Sequence, residues 1–203
     1  MQDHLRFAGA EPTVQRDALE TIIRDDPVLM DILVRLRALD LPDPLLGSGA
    51  IYNTVWNVLT GRPRLTGIKD ADVVYFDGTD TSWEAEDAVI QRAALWFAGV
   101  PIPVEVRNQA RVHLWFPKKF GVPYPQLHSS ADMMLNFASR THAVAERLEP
   151  DGRLVTHAPF GLDDIFSFRV TPNTRLNNRI THTIKAERAR AVWPELSVVP
   201  WPD

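Results

Sequence analysis

The segment Gly67-Ile68-Lys69-Asp70-Ala71-Asp72-Val73-Val74-Tyr75-Phe76-Asp77 decides how this chain is read. Its run Val73–Phe76 is β-branched and aromatic, the composition of a buried strand. Strand side chains alternate faces, so Asp70 and Asp72 project to the same side, roughly 7 Å apart at their Cα atoms. Two carboxylates that close repel each other and lose hydration as a core closes around them. Folding gains nothing from the pair, whereas a divalent cation resolves it. Mg²⁺ is held by one or two carboxylates together with waters and substrate phosphates. The plainer reading is a strand end whose carboxylates face solvent or pair with Arg64 and Lys69.

Upstream, Asp26-Pro27 reads as an N-cap with proline at the first helical position. Leu29, Ile32, Leu33, Leu36 and Leu39 then recur at helical spacing up to Pro42. A short strand through Leu45-Leu46 leads into Gly47-Ser48-Gly49, and a helix with Ile51, Val55, Trp56 and Leu59 follows. Glycines between a strand and a helix let the backbone approach a phosphate, beside free N–H groups at the helix start. Ser48 adds a hydroxyl donor. Alone, the segment reads first as a tight turn.

Downstream, Thr81 with Glu84 reads as a capping box for a helix whose inner positions are Ala85, Ala88, Val89, Leu95 and Trp96. Pro101–Val106 is a strand with its prolines at the start, and it carries Glu105 between two valines. If this strand lies beside the first, Glu105 joins the two aspartates on one face; otherwise it is a charged edge residue. Arg107 to Phe116 reads as helical, which sets Arg107 and Arg111 on one face. Either arginine is able to grip a phosphate bidentately or to balance nearby acids. Ser129 and Asp132 suggest a cap for a helix through Met133, Met134 and Phe137. Ala143–Leu148 and Arg153–His157 read as a hairpin turned by Asp151-Gly152. A short helix near Leu162–Phe168 and a basic helix near Arg175–Val192 complete the chain. The basic residues Arg175, Arg179, Lys185, Arg188 and Arg190 read as a solvated face, or as a rim that steers a phosphorylated acceptor. Trp56, Trp96 and Trp115 read as core aromatics, and Asp163 or Asp164 as a helix cap.

A phosphate-cradling turn with three carboxylates is the equipment of phosphoryl or nucleotidyl transfer. In this order, the Gly-Ser turn, Asp-x-Asp strand and hydrophobic–acidic–hydrophobic strand resemble the DNA-polymerase-β-like nucleotidyltransferase superfamily. Four segments resemble one bacterial branch of it. They run from Gly47 to Trp56, Lys69 to Asp77, Glu105 to Trp115, and Ala158-Pro159-Phe160-Gly161-Leu162-Asp163-Asp164. The likeness spans about Pro27 to Pro194. It implies an α+β fold with a small mixed sheet flanked by helices and a C-terminal α/β elaboration. It further implies that Asp70 and Asp72 bind the catalytic metals, Mg²⁺ or Mn²⁺, that Glu105 completes the triad, and that Gly47, Ser48 and Gly49 hold the triphosphate. The interval from Ser48 to Asp70 is longer than usual in the superfamily, and the added loop is a candidate pocket wall.

The division expected is an N-terminal extension (1–25), a nucleotidyltransferase core (26–125) and a C-terminal elaboration packed on it (126–203). At 203 residues, 45% hydrophobic and 24% charged, the chain has the make-up of a soluble domain with a real core. A net charge of −4 gives no general attraction to nucleic acid or to an anionic membrane. Cysteine is absent, which excludes disulfides and thiolate zinc sites. No apolar run suits a signal peptide or a membrane span, so a cytoplasmic protein is expected. The function expected is metal-dependent transfer of an NMP unit from an NTP to a hydroxyl acceptor that the sequence does not identify, with release of pyrophosphate. The competing expectations are a nucleotide-binding regulatory module without transfer, and a metal-dependent phosphohydrolase.

Overall fold

A computed structural model describes residues 3–202. A 3₁₀ turn (Asp3–Leu5) precedes α1 (Pro12–Arg24) and α2 (Pro27–Leu39), and Asp26 caps α2 by accepting from the amides of Val28 and Leu29 at 2.9 and 3.0 Å. Strand β1 (Leu45–Gly47) turns through Ser48 into α3 (Gly49–Thr60). Then come β2 (Ala71–Tyr75), α4 (Trp83–Trp96) and β3 (Val104–Asn108). Beyond them lie a 3₁₀ turn (Gln109–Arg111), α5 (Val112–Phe120) and further 3₁₀ turns (Ala131–Asn136 and Arg140–His142). The chain ends with β4 (Ala145–Leu148), β5 (Leu154–His157), α6 (Asp163–Phe166), β6 (Arg169–Val170), α7 (Arg179–Val192) and β7 (Ser197–Val198). No helix among the described residues is long and apolar enough to cross a membrane.

The fold is α+β. Its five-stranded sheet has the order β3-β2-β1-β4-β5, with β2 and β3 parallel and the remaining pairs antiparallel. The parallel pair requires a crossover, which α4 supplies. On one sheet face Leu46, Val73, Val106, Val144 and Leu148 join the main core, together with α1, α2, α3 and the indoles of Trp56 and Trp193. On the other face Leu45, Val74 and Ala145 pack under Leu127, Met133 and Met134. That second cover is partial, and Asp72 belongs to the uncovered part.

Several local expectations are corrected by tertiary contacts. The cap of α4 is Ser82, whose hydroxyl accepts from the Ala85 amide at 3.2 Å, while the Thr81 carbonyl is taken by Arg111. Glu86 and Ala93 face inward from that helix, whereas Ala88, Leu95 and Trp96 are exposed. The Trp96 indole still donates to the Arg35 carbonyl at 2.8 Å. The segment after Glu105 stays extended through Asn108, because its ladder with β2 outlasts the apolar alternation, so Arg107 sits on a strand and Arg111 in a 3₁₀ turn. The two arginines therefore do not share a helical face. Met133 and Met134 occupy 3₁₀ geometry, and the basic helix starts at Arg179 rather than Arg175. Asp163 and Asp164 both pair with Arg169, and Asp163 also accepts from the Gly9 amide at 2.7 Å, which fastens the N-terminal segment to α6.

The long connection between α3 and β2 is tied down. Asn57 donates to the carbonyls of Arg64 and Thr66, both at 2.9 Å, and accepts from the Trp193 indole at 3.0 Å. Arg62 forms a two-bond pair with Glu195, and Arg64 turns to Asp25 and Asp26 rather than to the paired aspartates. Gly67 has φ +72°, and a Cβ there would run into the Trp193 ring. The loop thus belongs to the contact between α3 and the end of α7.

Candidate active site

Register across three strands assembles the candidate residues. Gly47 lies opposite Asp72, and Asp72 lies opposite Glu105, so the three form one row across β1, β2 and β3. Neighbouring strands are about 4.8 Å apart, which sets the spacing of this row. Asp70 stands one pleat before Asp72, just outside β2. Gly47 has no side chain to cover its neighbour; a Cβ there would meet Met133 Cε at 3.3 Å and the Asp72 carbonyl oxygen at 3.6 Å.

Ser48 connects the row to α3 in a sparsely populated backbone conformation, φ 55° and ψ −110°. A non-glycine residue held there costs about 1–3 kcal/mol and persists only where its surroundings impose it. Its amide donates to the Val144 carbonyl at 2.8 Å, which fixes the turn to the chain entering β4. Its side chain makes no cap bond to α3, so the first amides of that helix, at Gly49 and Ala50, are without intrahelical acceptors. Positive dipole and free donors there suit an anion.

Asp72 is reached by solvent from one side and crowded by protein on the others. That desolvation is the main cause that raises its carboxyl pKa above the ordinary range, with the Asp70 charge next and Glu105 smaller; Lys185 and Arg107 oppose it. Neither aspartate forms a contact ion pair among the described residues. Glu105 is half exposed and leans on Arg107 at 3.4 Å. Consequently, no three acidic or histidine side chains among the described residues are gathered tightly enough to hold a metal ion. The donor set nevertheless suits a hard divalent cation: two oxygen-bearing groups in mutual repulsion, with a third opposite across the ladder and free to swing from an exposed arginine.

Arg111 is placed elsewhere. Its guanidinium is buried in an ion pair with Glu86, donates to the Thr81 carbonyl at 2.8 Å and lies over the Trp83 ring at 5.6 Å. Glu86 also accepts from the Asn108 amide at 2.8 Å, so this cluster clamps the end of β3 to α4. Arg107, by contrast, is accessible and on the same sheet face as Glu105.

Beyond the expected set, Tyr52 and Lys185 interact electrostatically with the aspartates, and His142 and Arg188 flank Tyr52. The Tyr52 phenol sits over the turn, 3.9 Å from a Gly49 Cβ position. Burial raises its pKa, and it feels Arg188, Asp72 and Asp70 in turn. Its ring stacks on His142 at 4.8 Å and 18°. Burial first, then Lys185, the His182 ring and Arg188, pushes the His142 pKa well down; the ring stays neutral, with Nε2 buried and unpartnered. Lys185 is exposed as a residue, yet desolvation at its ammonium lowers its pKa, and Asp72 and Asp70 pull the other way. Tyr52 lies one helical turn past Ser48, a signal the sequence carries. Lys185 and Arg188 differ from other basic residues of α7 only by tertiary placement.

A family model described as "Nucleotidyltransferase" matches residues 34–198. A solved structure, titled "The NMR structure of the protein reveals a CCA-adding enzyme head domain", is similar at 26% identity and a TM-score of 0.72. The match covers 92% of this chain and 96% of that one. No curated protein matches.

Proposed function

The chain belongs to this nucleotidyltransferase family, and from that premise we propose that it moves an NMP unit from an NTP to an acceptor hydroxyl in a divalent-metal-dependent reaction that releases pyrophosphate. The observation that carries this reading is the in-register row Gly47–Asp72–Glu105, with a strained Ser48 turn and a helix start beside it.

Asp70 and Asp72 would hold Mg²⁺ or Mn²⁺, with Glu105 joining once it leaves Arg107. When bound, the metal would neutralise the triphosphate and lower the barrier to attack at the α-phosphorus. The chain's own groups do the rest. The amides of Gly49 and Ala50 and the Ser48 hydroxyl receive the β- and γ-phosphate oxygens. Gly47 leads the backbone into the Ser48 turn, and Glu105 accepts the proton of the attacking hydroxyl. Arg107, freed from Glu105, meets phosphate oxygens at the cleft edge. Arg111 is withdrawn from that role by its pairing with Glu86.

The deciding experiment incubates the protein with Mn²⁺, labelled NTPs and cell extract, and measures both a labelled product and pyrophosphate. Asp72→Asn is expected to reduce transfer by at least about a hundredfold. Without metal the same substitution is expected to raise the melting temperature, because it removes a desolvated charge beside Asp70. Free phosphate or free NMP with no labelled acceptor would replace this reading by hydrolysis. NTP binding with no turnover would leave a regulatory module.

A further inference from the structure

Between Glu105 and Asp132 the chain holds no acidic residue, although its net charge is −4. Arg107, Arg111, Lys118 and Lys119 fall in that interval, together with Trp115, Phe116, Phe120 and Tyr124. Arg107 is taken by Glu105 and Arg111 by Glu86, whereas Lys118 and Lys119 are exposed and form no ion pair among the described residues. The rings form one cluster. Phe116 lies 4.5 Å from Phe120 and 4.4 Å from Tyr124, and Trp115 lies 6.0 and 6.4 Å from Phe116 and Phe120. The Lys119 ammonium sits 5.7 Å from the Trp115 ring centre and 5.4 Å from that of Phe120. Leu114 and Phe120 remain exposed. The cluster borders the sheet face that carries Asp72, because Tyr124 and Phe76 pack on the layer of Val74 and Met133. Val74 follows Asp72 by one pleat on that face, roughly 7 Å along β2. Arg107 lies opposite Val74.

At 3.6 residues per turn, the side chains around α5 run in the order Leu114, Lys118, Trp115, Lys119, Phe116, Phe120. Cations thus interleave with apolar groups. A helix that lies in a membrane surface instead gathers its apolar residues on one face and its cations on the other. A ring flanked by two ammonium groups suits a ligand that is itself both flat and anionic. Single-stranded nucleic acid has that make-up, because its bases stack on aromatic side chains while cations track its phosphates. A duplex hides its bases, and an acidic peptide offers the charge without the rings. We propose that α5 and Tyr124 form a docking surface for a single-stranded polynucleotide. Trp115 and Phe120 carry bases, and Lys118 and Lys119 meet the phosphates between them. An exposed cation–π contact is weak, so Lys119 leaves the indole for a phosphate at little cost. The rest of the chain is net acidic, which confines the strand to this arm. Resting on the function proposed above, the terminal hydroxyl of this strand is the acceptor, brought along the open sheet face toward Asp72 and Glu105.

Fluorescence anisotropy at low salt measures binding of a 5′-fluorescein oligoadenylate of about 12 nucleotides, a length within the span of such surfaces. The wild type is expected to prefer the single strand to the same sequence in a duplex by at least about tenfold. Trp115→Leu is expected to weaken binding by about tenfold, and Trp115→Phe by less than about threefold. Two phosphate contacts are lost in the double variant Lys118→Gln with Lys119→Gln, so the slope of log affinity against log salt is expected to shrink by about 1.4. Both lysines are exposed, so that variant is expected to melt with the wild type and carries the test even where Trp115→Leu does not fold. Equal affinity for single strand and duplex, an unchanged salt slope, or no binding at all overturns the docking surface. Binding to phosphatidylglycerol vesicles in place of the oligonucleotide overturns it in favour of a membrane contact. With Mn²⁺ and labelled NTPs, the docked oligonucleotide is expected to gain label at its 3′ end. If cell extract yields a different labelled product while the oligonucleotide docks and stays unlabelled, the acceptor assignment fails and the function survives. If the oligonucleotide docks as described but nothing is labelled and no pyrophosphate appears, the function fails and the docking surface survives.

Discussion

Glu146 is a residue whose chemistry runs against its position. It lies on β4 opposite Leu46, 1% exposed, on the sheet face that packs against the main core. Neither carboxyl oxygen has a hydrogen-bond partner; the Thr156 hydroxyl across the ladder is near enough to ease the charge but does not close a bond. Burial pushes the group up to about 7 from an ordinary value of 4.5. The folded chain therefore retains a proton that the unfolded chain releases between those values. Stability falls as pH rises through that window, and the cost is complete above about pH 7. Glu146→Gln is expected to be more stable than the wild type at pH 8 by up to about 3 kcal/mol, with the advantage gone at pH 4. Urea unfolding at the two pH values measures it; a pH-independent difference would show that the carboxyl is not held in its acid form. The same scale shows what one-dimensional reading sees. Asp70 and Asp72 are legible because alternation on a strand is a local rule. Lys185 is invisible to that rule, because its meaning lies in what α7 is pressed against.

At the level of elements, β3 shows how two arginines four positions apart receive opposite tasks. The ladder to β2 carries the strand through Asn108, and the chain then bends so that Arg111 dives under α4 to Glu86 while Arg107 remains on the open face. Removing one partner of a buried, hydrogen-bonded pair strands the other charge and costs about 3–5 kcal/mol. Arg111→Ala is expected to be destabilised by that amount in urea unfolding. Arg107→Ala is expected to change stability by less than about 1 kcal/mol, since its pair with Glu105 is exposed. If the two variants unfold alike, the two arginines do not divide their tasks in this way. The helical reading of 107–116 fails over its first residues for an identifiable reason. Valines at 104 and 106 signal a strand, but its end is set by pairing with Tyr75, which no local spacing announces. The hairpin of β4 and β5, the proline-started α2 and the turn before α3 are readable because each depends on adjacent residues.

For the molecule as a whole, the C-terminal helix and the strands around it are wired into the middle of the fold. Trp193 and Leu196 belong to the main core, and Asn57 binds both the loop before β2 and the Trp193 indole. These contacts are where the expected C-terminal elaboration, residues 126–203, meets the core on which it is packed. A chain ending at residue 178 is expected to lose cooperative thermal unfolding, as read by calorimetry, because the Trp56 face and the Gly67 corner would be uncovered. A sharp transition in that shortened chain would show that the first 178 residues fold alone. A mixture of strands and helices is foreseeable from the order of apolar runs, whereas the small mixed sheet with flanking helices follows from the superfamily resemblance. The small parallel pair β6–β7 is not: two residues per strand carry no periodicity, and only the return of the tail past Phe168 brings them together.

The seat of Trp193 against Gly67 has a bearing on engineering. Lys69 is one of only two residues between that seat and the first aspartate, so the indole fixes the backbone close to where Asp70 leaves the corner. Under the function proposed above, a smaller side chain at Trp193 is therefore expected to change affinity for a divalent ion as well as stability, although it lies outside the cleft.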